Sequence, residues 1–163
     1  MIAVDSIFLL KDAEEHFGPS RVRGEEKRMQ IGLLEDNPSI ATLLSTVLRM
    51  AGHSVSPSYD GVSFLAGLFA SDHISRSIPY DLLLVDLYLP GRLSGWEVVS
   101  SIRRVIPAEK LPIIVISAAS VGELKQFQAS HPDIPVLQKP FGMGTLLEQM
   151  KMLASTEEQS QRT

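Results

Sequence analysis

The stretch Tyr80-Asp81-Leu82-Leu83-Leu84-Val85-Asp86-Leu87-Tyr88-Leu89-Pro90 decides how the rest of the chain is read. Four consecutive apolar residues, Leu82 to Val85, suit a strand buried on both faces of a parallel sheet. A strand half in water would alternate instead. Asp86 closes the run, and Pro90 soon after it marks a loop. In an open α/β sheet, ligands bind at the carboxyl ends of the strands. A carboxylate placed there becomes a candidate functional group if other chemistry reaches the same rim.

Upstream, Ile31-Gly32-Leu33-Leu34 reads as a first strand ending in Glu35-Asp36. Asn37 is a helix-capping residue and Pro38 suits the first helical position. Ile40, Leu43, Leu44, Val47, Leu48 and Ala51 then keep a helical stripe that Gly52 stops. Residues 54–58 give a short second strand containing Pro57, and residues 60–70 a helix turning Phe64, Leu65, Leu68 and Phe69 inward. A polar loop over 71–79 leads to the central strand. Downstream, Ser94 caps a helix carrying Trp96, Val99, Ile102, Val105 and Ile106, which ends by Pro107. Residues 113–116 form another doubly buried strand ending at Ser117. A weakly patterned helix over 121–129 contains Gly122, and a strand over 134–137 contains Pro135. Lys139-Pro140-Phe141 follows, then a last helix marked by Leu146, Leu147, Met150 and Leu153.

Five strands alternating with five helices predict a parallel sheet with right-handed crossovers. Proline interrupts only the second and fifth strands, and a strand proline belongs at a sheet edge. The expected fold is therefore a flavodoxin-like, doubly wound α/β sheet of strand order 2-1-3-4-5, in three α/β/α layers.

Composition narrows the function. The 163 residues suffice for one ordinary domain, with 44% hydrophobic and 21% charged residues and a net charge of −4. Such a balance argues against a nucleic-acid surface. The absence of Cys removes disulfides, thiolate metal sites and a cysteine nucleophile, and it suits the cytoplasm. No apolar run nears the roughly 20 residues of a membrane span. Residues 1–28 differ in pattern and read as an extension, with Met29 one candidate for the natural start. Residues 29–155 form the domain and 156–163 a polar tail, so the chain is expected to act without an attached output domain.

Four strands end in chemistry: Glu35-Asp36, Asp86, Ser117 and Lys139. Carboxylates forced together repel unless protons or a cation relieve them, and hard oxygen ligands with room for water suit Mg²⁺. Lys139 and the Ser117 hydroxyl would receive the oxygens of an anion beside the metal. With Asp86 as nucleophile, this becomes a site for phosphoryl transfer. His16, His53, His73 and His131 lie at no metal-ligand spacing, and Trp96 reads as packing.

These motifs, in this order, make residues 29–155 resemble the receiver domain of two-component response regulators. The resemblance rests on Leu33-Leu34-Glu35-Asp36-Asn37-Pro38, on Leu84-Val85-Asp86-Leu87-Tyr88-Leu89-Pro90-Gly91, on Ser117-Ala118 and on Lys139-Pro140-Phe141. It implies that Asp86 accepts a phosphoryl group from a histidine kinase or phosphotransfer protein, modifying itself rather than turning over a substrate. Glu35, Asp36, Asp86 and the Tyr88 backbone carbonyl would hold Mg²⁺, while Ser117 and Lys139 would contact the phosphoryl group. A separate protein target would be the downstream partner, with homodimerisation left open and no nucleic acid or membrane involved. Tyr88 would overhang the site. Two departures stand out: Gly95 lies one residue later than usual after the phosphoacceptor, and Val136 replaces the usual aromatic three before the lysine. A receiver-like interaction module with a vestigial site is the alternative. A haloacid-dehalogenase phosphatase would want a second Asp where Tyr88 stands, and a Rossmann domain a glycine-rich turn where Glu35–Pro38 stands.

Overall fold

Every residue of the strand Leu82–Asp86 is buried, as its unbroken apolar run requires. The structure is a computed structural model and describes residues 27–70 and 78–160, with side chains through residue 155. In chain order the elements are β1 (Gln30–Leu34), α1 (Pro38–Met50), β2 (Ser54–Ser58), α2 (Gly61–Phe69), β3 (Leu82–Asp86), α3 (Gly95–Arg103), β4 (Ile113–Ser117), α4 (Val121–Ser130), β5 (Val136–Gln138) and α5 (Met143–Ser160). The strands form one parallel sheet of order β2-β1-β3-β4-β5. This is the expected flavodoxin-like order.

The register sorts the core into two faces. Leu34, Leu83, Val85, Ile113 and Val115 join Phe64 and Leu68 of α2, Val98, Val99 and Ile102 of α3, and Leu124 and Phe127 of α4 in one buried cluster. The alternate residues Ile31, Leu33, Leu82, Leu84, Ile114 and Ile116 are equally buried but lie outside that cluster. Strand side chains alternate between faces, so these occupy the other side, where α1 buries Ala41, Leu44 and Leu48. Each such fully buried Leu or Ile contributes about 1.5–3 kcal/mol relative to exposure.

Local signals hold where they have a mechanism. Asn37 caps α1 by accepting from the Ser39 and Ile40 amides, with Pro38 at the first helical position. Ser94 caps α3 and Glu97 closes its capping box. Trp96 packs edge-on against Phe127 of α4, ring centroids 4.9 Å apart. Helix α4 buries only Leu124 and Phe127, which matches its weak pattern.

Three boundaries differ from the sequence reading. β5 begins at Val136, so Pro135 stands before the strand, its carbonyl accepting from the Val115 amide. Proline can still accept, and it lacks only a donor. α3 ends at Arg103, well before Pro107. α5 continues through Ser160, into the stretch expected as a polar tail. Apart from Lys27 and Arg28, the expected extension 1–28 lies outside the described residues, as do 71–77 of the polar loop and 161–163 of the tail. Arg28–Lys139 forms one compact unit, and α5 belongs to a second, in which Met143, Leu146 and Met150 are buried. No helix among the described residues is long and apolar enough to cross a membrane.

Candidate phosphoacceptor site

Strand alternation brings the predicted residues together. Asp86 follows the face of Leu82 and Leu84. Glu35 continues β1 by one residue, its amide donating to the Ser58 carbonyl at 3.1 Å. Lys139 continues β5, its amide donating to the Ser117 carbonyl at 2.8 Å. Period two puts Glu35, Asp86 and Lys139 on one side of the rim, and Ser117 on the other.

Lys139 Nζ donates to Glu35 Oε2 and to Asp86 Oδ2, each at 2.7 Å. Glu35 is only 1% exposed and Asp86 5%. One carboxylate oxygen from each of Glu35, Asp36 and Asp86 lies within 4.8 Å of the others. Thus one ammonium is paired with two of three clustered carboxylates. Burial pushes the Glu35 carboxyl above its usual range; Lys139 pulls it back, and nearby Asp86 pushes it up further. Burial works against the charged form of Lys139, but the Asp86 and Glu35 carboxylates outweigh it and hold its pKa above the ordinary value. Three hard, crowded oxygen donors with a single cation among them fit a small divalent ion such as Mg²⁺.

A carboxyl whose folded pKa is raised weakens the fold as pH climbs through that pKa, because the unfolded chain gives up its proton more readily. Replacing Lys139 with Met removes the only cation paired with Glu35 and Asp86 among the described residues and raises the Glu35 pKa further. Lys139→Met should therefore lose about 3 kcal/mol of stability at neutral pH, with the loss shrinking toward pH 4 as Glu35 protonates. Urea denaturation across pH 4–8 measures it; a pH-independent loss would contradict the charge argument.

The remaining predicted residues divide. Ser117 is fully buried, and its Oγ accepts from the Ala119 amide at 3.2 Å. It does not cap α4; Ser120 does, in a capping box with Glu123. Gln138 Nε2, from β5, donates to the Ala119 carbonyl at 3.1 Å and steadies the same loop. The Tyr88 amide donates to Asp86 Oδ1 at 2.9 Å, which fixes the backbone that carries the Tyr88 carbonyl. The Tyr88 side chain is half exposed, and its hydroxyl donates to Glu123 Oε1 of α4. That bond holds the phenol above its usual pKa. On the other side, the Ser120 hydroxyl, then Tyr88, then the Ser120 amide lower the Glu123 carboxyl to about 2. Val136 pairs with Val115 and packs against the core. Gly95, despite its longer loop, still reaches the backbone just after Asp86, its amide donating to the Leu87 carbonyl at 3.0 Å.

Sequence reasoning missed Gln138, Ser120 and Glu123. The Ser-x-x-Glu spacing of Ser120 and Glu123 is a capping-box signature that would have found two of them.

Comparisons with known proteins place the chain in one family. Residues 31–151 match the family described as "Response regulator receiver domain". The transcriptional regulatory protein TctD of Salmonella typhimurium is 30% identical over 77% of this chain and 51% of its own length. The DNA-binding dual master transcriptional regulator RpaA of Synechocystis is 27% identical over 76% of this chain and 48% of its own. The chain thus spans about half the length of the curated relatives it matches. Among solved structures, response regulator TrrA of Thermotoga maritima, in complex with Mg²⁺ and BeF, superposes with a TM-score of 0.59 at 27% identity, covering 76% of this chain and 97% of that one.

Proposed function

From the premise that the chain belongs to the response regulator receiver domain family, we propose that Asp86 is its phosphoacceptor. The donor is the phosphohistidine of a histidine kinase or phosphotransfer protein, and the cofactor is Mg²⁺. One arrangement carries the reading: Asp86 lies at the rim with Lys139 Nζ 2.7 Å away and the oxygens of Glu35 and Asp36 within 4.8 Å.

A carboxylate oxygen of Asp86 attacks phosphorus and forms an O–P bond. The N–P bond to the donor imidazole breaks, and its electron pair leaves with the ring nitrogen. Phosphoryl transfer asks the protein chiefly for positioning and charge neutralisation. Glu35, Asp36, Asp86 and the Tyr88 carbonyl would hold Mg²⁺, which supplies neutralisation of charge on the transferring oxygens. Lys139, already poised on Asp86 Oδ2, swings its ammonium to the phosphoryl oxygens. The Ser117 hydroxyl, whose oxygen accepts from Ala119, keeps its proton free to donate to the same group. The TrrA complex, which pairs Mg²⁺ with BeF, supports the same chemistry here. The product is a modified protein that signals through a protein partner in the cytoplasm.

Intact-protein mass spectrometry after acetyl phosphate treatment, with Mg²⁺ and with EDTA, tests the proposal. Mg²⁺-dependent gain of one phosphoryl group is expected. No gain in either condition would favour a vestigial site.

A further inference from the structure

Tyr88 is joined to the site and to a helix at once. Its backbone amide donates to Asp86 Oδ1 at 2.9 Å, and its hydroxyl donates to Glu123 Oε1 in the first turn of α4. The other oxygen of Glu123 accepts from the Ser120 amide at 2.9 Å and the Ser120 hydroxyl at 2.6 Å. Ser120 in turn ends the short loop that begins at Ser117. Two loops at the sheet rim, 87–94 and 118–120, are therefore clasped through a single phenol and a single carboxylate.

We propose that Tyr88 and Glu123 form a latch that holds α4 in place while Asp86 is unmodified and releases it on phosphorylation. Tyr88 would then be the positioning residue that reports the state of Asp86. The inference rests on the phosphoacceptor reading above and deepens it.

Three observations carry it. First, α4 is weakly docked, with Leu124 and Phe127 its only buried side chains, so one bond at its N-terminus weighs heavily in its placement. Second, both ends of the clasp answer to Asp86. A phosphoryl group bonds to one of the two carboxylate oxygens, which now accept from Tyr88 and Lys139, and brings about two negative charges to the rim that the Glu123 carboxylate shares through Tyr88. Donation from the Ser117 hydroxyl to that group would draw Ser117 from the Ala119 amide it now binds, and Ser120 follows three residues on. Third, Val136 is short, aliphatic and packed against the core. An aromatic side chain that is both half exposed and bonded across the rim stands at Tyr88 instead.

Hydrogen–deuterium exchange of α4 tests the latch, measured on the full chain with and without beryllofluoride and Mg²⁺. The variants are Tyr88→Phe, which lacks the hydroxyl, and Glu123→Gln, which keeps an amide able to cap but loses the charge. In the unmodified wild type, amides near the start of α4 should exchange slowly and speed up by about threefold or more on modification. Tyr88→Phe should start at the fast rate and gain little on modification, with Glu123→Gln between the two. Exchange in Tyr88→Phe equal to wild type before modification would overturn the latch. So would acceleration by the same factor in both states, since a merely structural bond behaves that way. Acetyl phosphate labelling of the same samples separates the two levels. Labelled protein whose α4 does not respond overturns the latch alone, whereas no label on any sample overturns the phosphoacceptor reading and the latch with it.

Discussion

Asp86→Asn should take up no acid-labile phosphoryl group from acetyl phosphate or from a phosphohistidine donor, with the signal falling to background. An amide oxygen is a poor nucleophile, and among the described residues no other group is set up as Asp86 is. Asp86 stands at the end of the central strand, 5% exposed, with one oxygen on the Tyr88 amide and the other on Lys139 Nζ. Asparagine preserves much of that setting, since its carbonyl oxygen still accepts from Tyr88 and Lys139 keeps Glu35 at 2.7 Å. The variant should therefore fold, and circular dichroism with a cooperative melt confirms that loss of label is loss of chemistry. Glu35 and Asp36 are the competing acceptors, because their oxygens share the same small space. Acid-labile label persisting on Asp86→Asn would move the acceptor to one of them and refute the assignment of Asp86.

The strands and the rim were legible in the sequence, for different reasons. Strands β1, β3 and β4 are apolar runs without proline, and burial on two faces leaves few other readings. The order of the sheet followed from Pro57 alone more securely than from Pro135, which stands outside β5. Glu35, Asp36, Asp86 and Lys139 were found because they end strands, and parallel strands deliver their carboxyl ends to one edge. Pairings between loops were not legible. Tyr88 and Glu123 are 35 residues apart, and only the placement of α3 and α4 fixes their meeting. Helix ends were read too generously at α3, where Val105 and Ile106 continue an apolar spacing after the helix has stopped. Ile106 is nevertheless buried, so the spacing reported burial correctly and helix wrongly.

Gly95→Ala should be the most destabilising single-methyl change at the site, and Gly67→Ala should have the opposite sign. Both glycines lie in helices, where alanine is intrinsically favoured by about 1 kcal/mol. At Gly67, in α2, an added Cβ meets nothing within 4 Å, so propensity decides and the variant should gain about 0.5–1 kcal/mol. At Gly95, the first residue of α3, the same atom would lie 2.0 Å from the Asp86 carbonyl oxygen and 2.6 Å from the Leu87 Cα. These are backbone atoms of the buried central strand and cannot rotate away. Either the start of α3 lifts, straining the Gly95 amide bond to Leu87 and the burial of Val98 and Val99, or the strand end moves and takes Asp86 with it. Overpacking of this kind costs about 3 kcal/mol; against about 1 kcal/mol of propensity, the net loss of about 2 kcal/mol lowers the melting temperature by about 4–8 °C. Phosphorylation should slow as well, because a shift of even 1 Å in Asp86 disturbs its alignment with the donor. Thermal melts of the two variants beside the wild type decide it: a Gly95→Ala melt within a degree or two of wild type would mean that the start of α3 does not bear on the end of β3.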